Sequence, residues 1–60
     1  MTKAMYDAIM EVAENGERFA ARDLNVSART MNAAHRAGYV ANRIGGGLVV
    51  TAKGWAAVAA

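Results

Sequence analysis

The chain has 60 residues, room for one domain spanning 1–60 and too little for an enzyme built around an internal active site. Hydrophobic residues make up 55%, but 15 residues are alanine, so a core must come from 18 larger side chains, with no cysteine for a disulfide or a thiolate zinc site. A net charge of +2, 20% charged residues and no apolar run of 18 residues argue against a disordered chain and against a spanning helix.

Met5, Ile9, Val12 and Ala13 recur at i, i+4, i+7 and i+8, which predicts a first helix over residues 3–14 with these side chains inward. Lys3, Asp7, Glu11 and Glu14 form the opposite stripe, with Lys3 and Asp7 as an i, i+4 pair. Thr2 is the expected N-cap, and Asn15-Gly16 the left-handed stop. Tyr6 and Met10 widen the apolar face, to reach the last helix or another subunit. Phe19 is expected to anchor a short extended piece, and residues 20–24 to form a brief helix that Asn25 ends in a left-handed turn. Val26 then packs inward. Ser27 caps a third helix over 28–37, which buries Met31 and Ala34 and stops at Gly38.

Residues 39–44 are rich in β-formers, Gly45-Gly46-Gly47 is a flexible turn, and Leu48-Val49-Val50 returns as a strand. Together they predict a hairpin. Thr51 caps a last helix with Trp55 and Val58 at i, i+3. Gly54 costs that helix about 1 kcal/mol against alanine, so its Cα is expected to lie close to a neighbour. The expected fold class is mainly α with a small β-hairpin. Its core is expected to draw on Met5, Ile9, Val12, Phe19, Leu24, Val26, Met31, Val40, Leu48, Val50 and Trp55.

Charge is unevenly spread along this order. All five acids lie in the first 23 residues, where they outnumber Lys3, Arg18 and Arg22 to give a net −2. Residues 24–60 carry Arg29, Arg36, Arg43 and Lys53, together with His35 and no acid. A basic half without carboxylates is the footprint expected of a polyanion binder, or else the charge serves solubility alone. The N-terminus places a lysine and then an acid where a signal sequence needs an apolar run, and the chain has no cysteine, so the expected location is cytoplasmic.

Four segments carry a resemblance: Ala20-Ala21-Arg22-Asp23-Leu24-Asn25-Val26-Ser27, Arg29-Thr30-Met31, Gly38-Tyr39-Val40 and Val50-Thr51-Ala52-Lys53-Gly54. They supply a short helix, a tight turn, a serine cap, a helix ending in Gly-aromatic-Val, and an aliphatic-Thr-x-x-Gly start to the last helix. In this order the chain resembles the winged helix-turn-helix DNA-binding domain of bacterial and phage regulators, over nearly its whole length. The resemblance implies a three-helix core, a two-stranded wing, a C-terminal helix and double-stranded DNA as partner. It places the third predicted helix in the major groove and the wing on the adjacent minor groove. From Ser27 to Gly38 is 11 residues, about one turn fewer than many members carry. A homodimer through the first and last helices, using Tyr6, Met10, Trp55 and Val58, would present two copies of this short helix about 34–36 Å apart.

Arg29, Asn32 and Arg36 fall at i, i+3 and i+7, opposite Met31 and Ala34. Arginine can bridge guanine O6 and N7, and asparagine adenine N6 and N7, so the stripe suits base edges. On any other helix it would be an ordinary solvated face. Ala28 and Ala33 are small enough for close approach, with Ala33 placed to touch a thymine methyl. Ser27 and Thr30 can donate to a phosphate at the helix start, although capping alone explains Ser27. Arg22 either contacts the DNA backbone or pairs with Asp23 or Glu17. Arg43, just before the triple glycine, is expected in the minor groove, or else serves as an edge-strand charge that discourages aggregation. Lys53 adds a phosphate contact or is simply exposed.

His35 is a lone histidine in a chain without cysteine, and the triple glycine lacks nucleotide-cradle spacing, so no metal, cofactor or small-molecule ligand is expected. No nucleophile has a base beside it, and no enzymatic activity is expected. The sequence therefore reads as a small DNA-binding protein, a transcriptional regulator or a phage recombination accessory factor. The alternative is a winged-helix protein-interaction module, such as a phage protein that docks on or inhibits a host protein.

Overall fold

The computed structural model describes residues 1–17 and 23–60. Phe19, Arg22 and most of the helix expected over 20–24 lie outside the described residues. Helix α1 spans Lys3–Asn15. The Thr2 hydroxyl accepts from the Met5 N–H at 3.2 Å, which satisfies one of the free donors of the first turn. Lys3 Nζ meets Asp7 Oδ2 at 2.8 Å on the solvent side. The hydrogen bond to Asp7, and then the carboxylate's charge, raise the Lys3 pKa above its ordinary 10.5.

The buried arc of α1 runs through Ala8, Ile9 and Val12, with Met5 packed against the core from its edge. Ala13, expected inward, is exposed. Positions 5, 8, 9 and 12 form the stripe that faces the rest of the chain, and Ala13 falls beyond its edge. Gly16 also differs from expectation. Its φ of −60° and ψ of −27° are right-handed, and its N–H bonds Val12 O at 2.8 Å, so the helical bonding continues through it. Glycine is required there by space. A Cβ at Gly16 would come within 2.5 Å of the Leu48 carbonyl oxygen.

Leu24 is buried, and its carbonyl accepts from the Val26 N–H at 2.8 Å. No non-glycine residue among those described has positive φ, so Asn25 does not form the expected left-handed turn. It sits at the centre of an inverse γ-turn, which reverses the chain at negative φ. Helix α2 follows over Ala28–Ala37, capped by Ser27 and closed by Gly38 at φ 81°. This is the helix expected third in the chain.

Strands β1 (Val40–Asn42) and β2 (Leu48–Val50) pair antiparallel, with Val40 opposite Val50 and Asn42 opposite Leu48. β1 is shorter than the expected 39–44 because Arg43 and Ile44 belong to the turn. Helix α3, Ala52–Ala59, starts at Thr51, whose hydroxyl accepts from the Gly54 N–H at 3.0 Å. The same hydroxyl donates to the Gly38 carbonyl at 2.5 Å, which ties the end of α2 to the start of α3.

Val12, Leu24, Met31, Ala34, Val40 and Leu48 form the core, with Met5, Val26 and Val50 packed at its margin. No polar or charged side chain is buried among the described residues. Trp55, expected in this core, is 49% exposed. The inward position of α3 is taken by Gly54, where a Cβ would collide with the Tyr39 carbonyl oxygen and lie 2.8 Å from Val50 Cγ1. The helix backbone itself approaches the hairpin, which leaves no room for an indole. Trp55, one residue on, is turned to the side, where it borders a groove with Val12, Ala13 and Leu48. Among the described residues no helix is long and apolar enough to cross a membrane.

Candidate nucleic-acid interface

Ten residues at 1.5 Å each make α2 about 15 Å long. At 100° per residue, Met31 and Ala34 lie on one side and are buried, while Arg29, Asn32 and Arg36 lie on the other and are exposed. The three polar side chains therefore share one solvent-facing stripe. Ala28 is exposed, and Ala33 is half-buried on the flank of the stripe, so neither side chain holds the helix away from a docking surface. Arg36 occupies the last turn, where its positive charge complements the negative end of the helix dipole.

At the other end of α2, the Ser27 hydroxyl accepts from the Thr30 N–H at 3.2 Å and lies 3.0 Å from Thr30 Oγ1. One hydroxyl proton serves that side-chain pair, which leaves the second for an outside acceptor. Ser27 and Thr30 open onto a groove shared with Ala4, Asp7 and Val26. A phosphate bound there would also meet the Asp7 carboxylate, whose charge Lys3 offsets at 2.8 Å. The cap thus borders an acid from α1, a neighbour that sequence spacing does not reveal.

The β1–β2 turn is hydrogen-bonded within itself and seated on the end of α1. Arg43 N–H donates to Gly47 O at 3.0 Å, and Gly46 N–H to Arg43 O at 3.1 Å. With Ile44 outside positive φ and Gly45 at φ 92°, residues 43–46 form a type II turn. Gly47 faces the backbone of Gly16, and Leu48 N–H donates to Gly16 O at 2.8 Å. The hairpin is therefore rooted on the end of α1. Arg43 is exposed at its free end, and Ile44 beside it is 100% exposed.

Lys53 is exposed near the end of α2, with its ammonium 5.9 Å from the Tyr39 ring centroid. A Cβ at Gly38 would lie 3.9 Å from its Nζ, so Lys53 and the last turn of α2 present charge from one region. Among the described residues the one ion pair is Lys3–Asp7, and Arg29, Arg36, Arg43 and Lys53 meet no carboxylate. Arg22 lies outside the described residues. Among those described, no three His, Asp or Glu side chains gather as metal ligands do.

Sequence spacing singled out the α2 stripe and Arg43 as exposed candidates but gave Ile44, whose side chain is β-branched, as a strand residue and not as the exposed tip of the turn. The signal that separates the two is the glycine immediately after it, which the type II turn requires. No protein-family model, curated protein or solved structure matches the chain.

Proposed function

We propose that the chain is a winged helix-turn-helix DNA-binding protein, acting as a transcriptional regulator or a phage recombination accessory factor in the cytoplasm on nucleoid DNA. In this reading α2 enters the major groove and the β1–β2 hairpin is the wing on the adjacent minor groove. The observation that carries the reading is the exposed Arg29–Asn32–Arg36 stripe, diametrically opposite the buried Met31 and Ala34. Support comes also from the helix–hairpin–helix order after Ser27 and from the acid-free charge of residues 24–60.

Arg29 supplies a bidentate donor pair and Asn32 a donor and an acceptor for base edges, and Arg36, Arg43 and Lys53 supply positive charge for phosphates. The molecule extends 29 Å along its longest axis. At 3.4 Å per base pair a single copy covers less than one duplex turn, about 8 base pairs. Two copies paired through Tyr6 and Trp55, which are 44% and 49% exposed, would extend the footprint. These two aromatic side chains also support the second reading, a module that docks on another protein.

A gel-shift titration with a random-sequence duplex at low salt separates the two readings. The parent chain is expected to retard the duplex, and a variant carrying Arg29→Ala and Arg36→Ala to retard it more weakly. No retardation by the parent abandons the DNA reading in favour of docking on a protein.

A further inference from the structure

We propose that Ile44 is a wedge that inserts from the wing tip between base steps of the minor groove and bends the duplex. The inference rests on the DNA-binding reading and goes beyond it by assigning an architectural action to one side chain. Ile44 is 100% exposed, the only large hydrophobic residue among those described that the fold leaves wholly uncovered. Its backbone position does not explain it. The second residue of a type II turn calls for no apolar side chain, and proline is the favoured occupant. The hairpin places a four-carbon branched side chain at its outermost point, where only solvent or a partner can meet it.

The surroundings of Ile44 indicate the partner. Arg43 precedes it and is exposed, and residues 24–60 contain no acid; Glu17, just after α1, lies by the base of the hairpin at Gly47 and not at its tip. Gly45, Gly46 and Gly47 follow it, and a Cβ at Gly45 or Gly46 would have no neighbour within 4 Å. The tip is thus a slim ribbon of backbone carrying one cation and one apolar branch. A minor groove about 6 Å wide admits such an edge and excludes a helix. Minor-groove architectural proteins combine the same two elements, a cation that reads the groove and an aliphatic side chain that parts a base step. The turn hydrogen bonds at Arg43, and the seat of Gly47 against Gly16, anchor the tip to the body of the fold.

The test is energy transfer between dyes at the two ends of a duplex with a central TA step, the kind of step that unstacks most easily. The parent, Ile44→Ala and Ile44→Leu are compared with matched binding titrations. Because Ile44 touches nothing in the fold, Ile44→Ala should melt at the parent temperature, so any effect on DNA is not a folding defect. The parent should bring the ends together by a bend of about 20–90°. Ile44→Ala should bind about tenfold more weakly and leave the duplex straight, because the buried apolar area is lost. Ile44→Leu should restore both.

Binding by the parent without bending, or bending by Ile44→Ala equal to the parent's, overturns the wedge and leaves the DNA reading standing. Failure of the parent to bind any duplex overturns both. Vesicles of anionic phospholipid form a control arm. Loss of vesicle binding in Ile44→Ala, with DNA bending intact, overturns the wedge and assigns the tip to a lipid surface.

Discussion

Gly54→Ala sets helix propensity against packing in one substitution. Gly54 lies inside α3 with negative φ, so alanine there relieves the backbone-entropy cost and favours the helix by about 1 kcal/mol. The new methyl, however, would fall on the Tyr39 carbonyl oxygen and 2.8 Å from Val50 Cγ1. That oxygen also accepts from the Thr51 N–H at 2.9 Å, so α3 cannot shift outward without stretching the bond at its own start. Forcing a methyl into a packed site costs about 1–3 kcal/mol, and the fixed carbonyl puts this site at the upper end. Weakening the Thr51 bond adds up to about 1 kcal/mol. The net expectation is a loss of about 2 kcal/mol, from a total of roughly 3–9 kcal/mol for a chain of this length. Thermal melting followed by circular dichroism should show Tm lower by about 8–16 °C. Ala56→Gly, on an exposed position of the same helix, measures propensity alone and should lower stability by about 1 kcal/mol. A Gly54→Ala protein that melts at or above the parent temperature would refute the close approach of α3 to Tyr39.

Met31 is 5% exposed within the core, and Met31→Ala should cost about 2–5 kcal/mol in a urea titration. Unchanged stability would contradict its burial. Arg29→Ala and Asn32→Ala should each flatten the preference for specific over random DNA, since losing a bidentate base contact costs about 1–3 kcal/mol at one position. Arg43→Ala should weaken both DNAs alike and make the salt slope shallower by about 0.9. Equal behaviour of all three variants and the parent would reduce the α2 stripe to a solvated face. Sedimentation at high micromolar concentration should show a dimer that Tyr6→Ala and Trp55→Ala weaken. A stable monomer for the parent chain rejects pairing through the first and last helices.

Elements with local chemistry were legible in the sequence. Thr2, Ser27 and Thr51 each cap the helix they precede, and Gly38 ends α2 at positive φ, because capping depends on a few adjacent residues. The strand Leu48–Val50 and its glycine turn were legible for the same reason. Features set by distant approach were not. Gly16 looked like a left-handed stop, yet its role is to admit the Leu48 backbone from 32 positions away in the chain. Trp55 looked like core by size, but the backbone of α3 occupies the space that its ring would need. In the interface, helical period revealed the Arg29–Asn32–Arg36 stripe. The groove joining Asp7 to Ser27 and Thr30 depends on how α1 meets α2, which period alone cannot supply.

The central claim, that residues 24–60 present a DNA-binding surface, is tested most directly by fluorescence anisotropy of a labelled random duplex over a series of salt concentrations. On a random duplex Arg29 has no matched base and meets phosphate with Arg36, Arg43 and Lys53, so with four phosphate-neutralising cations log K should fall against log salt with a slope of about −3.6. Absence of binding at the lowest salt, or an affinity indifferent to salt, would contradict it.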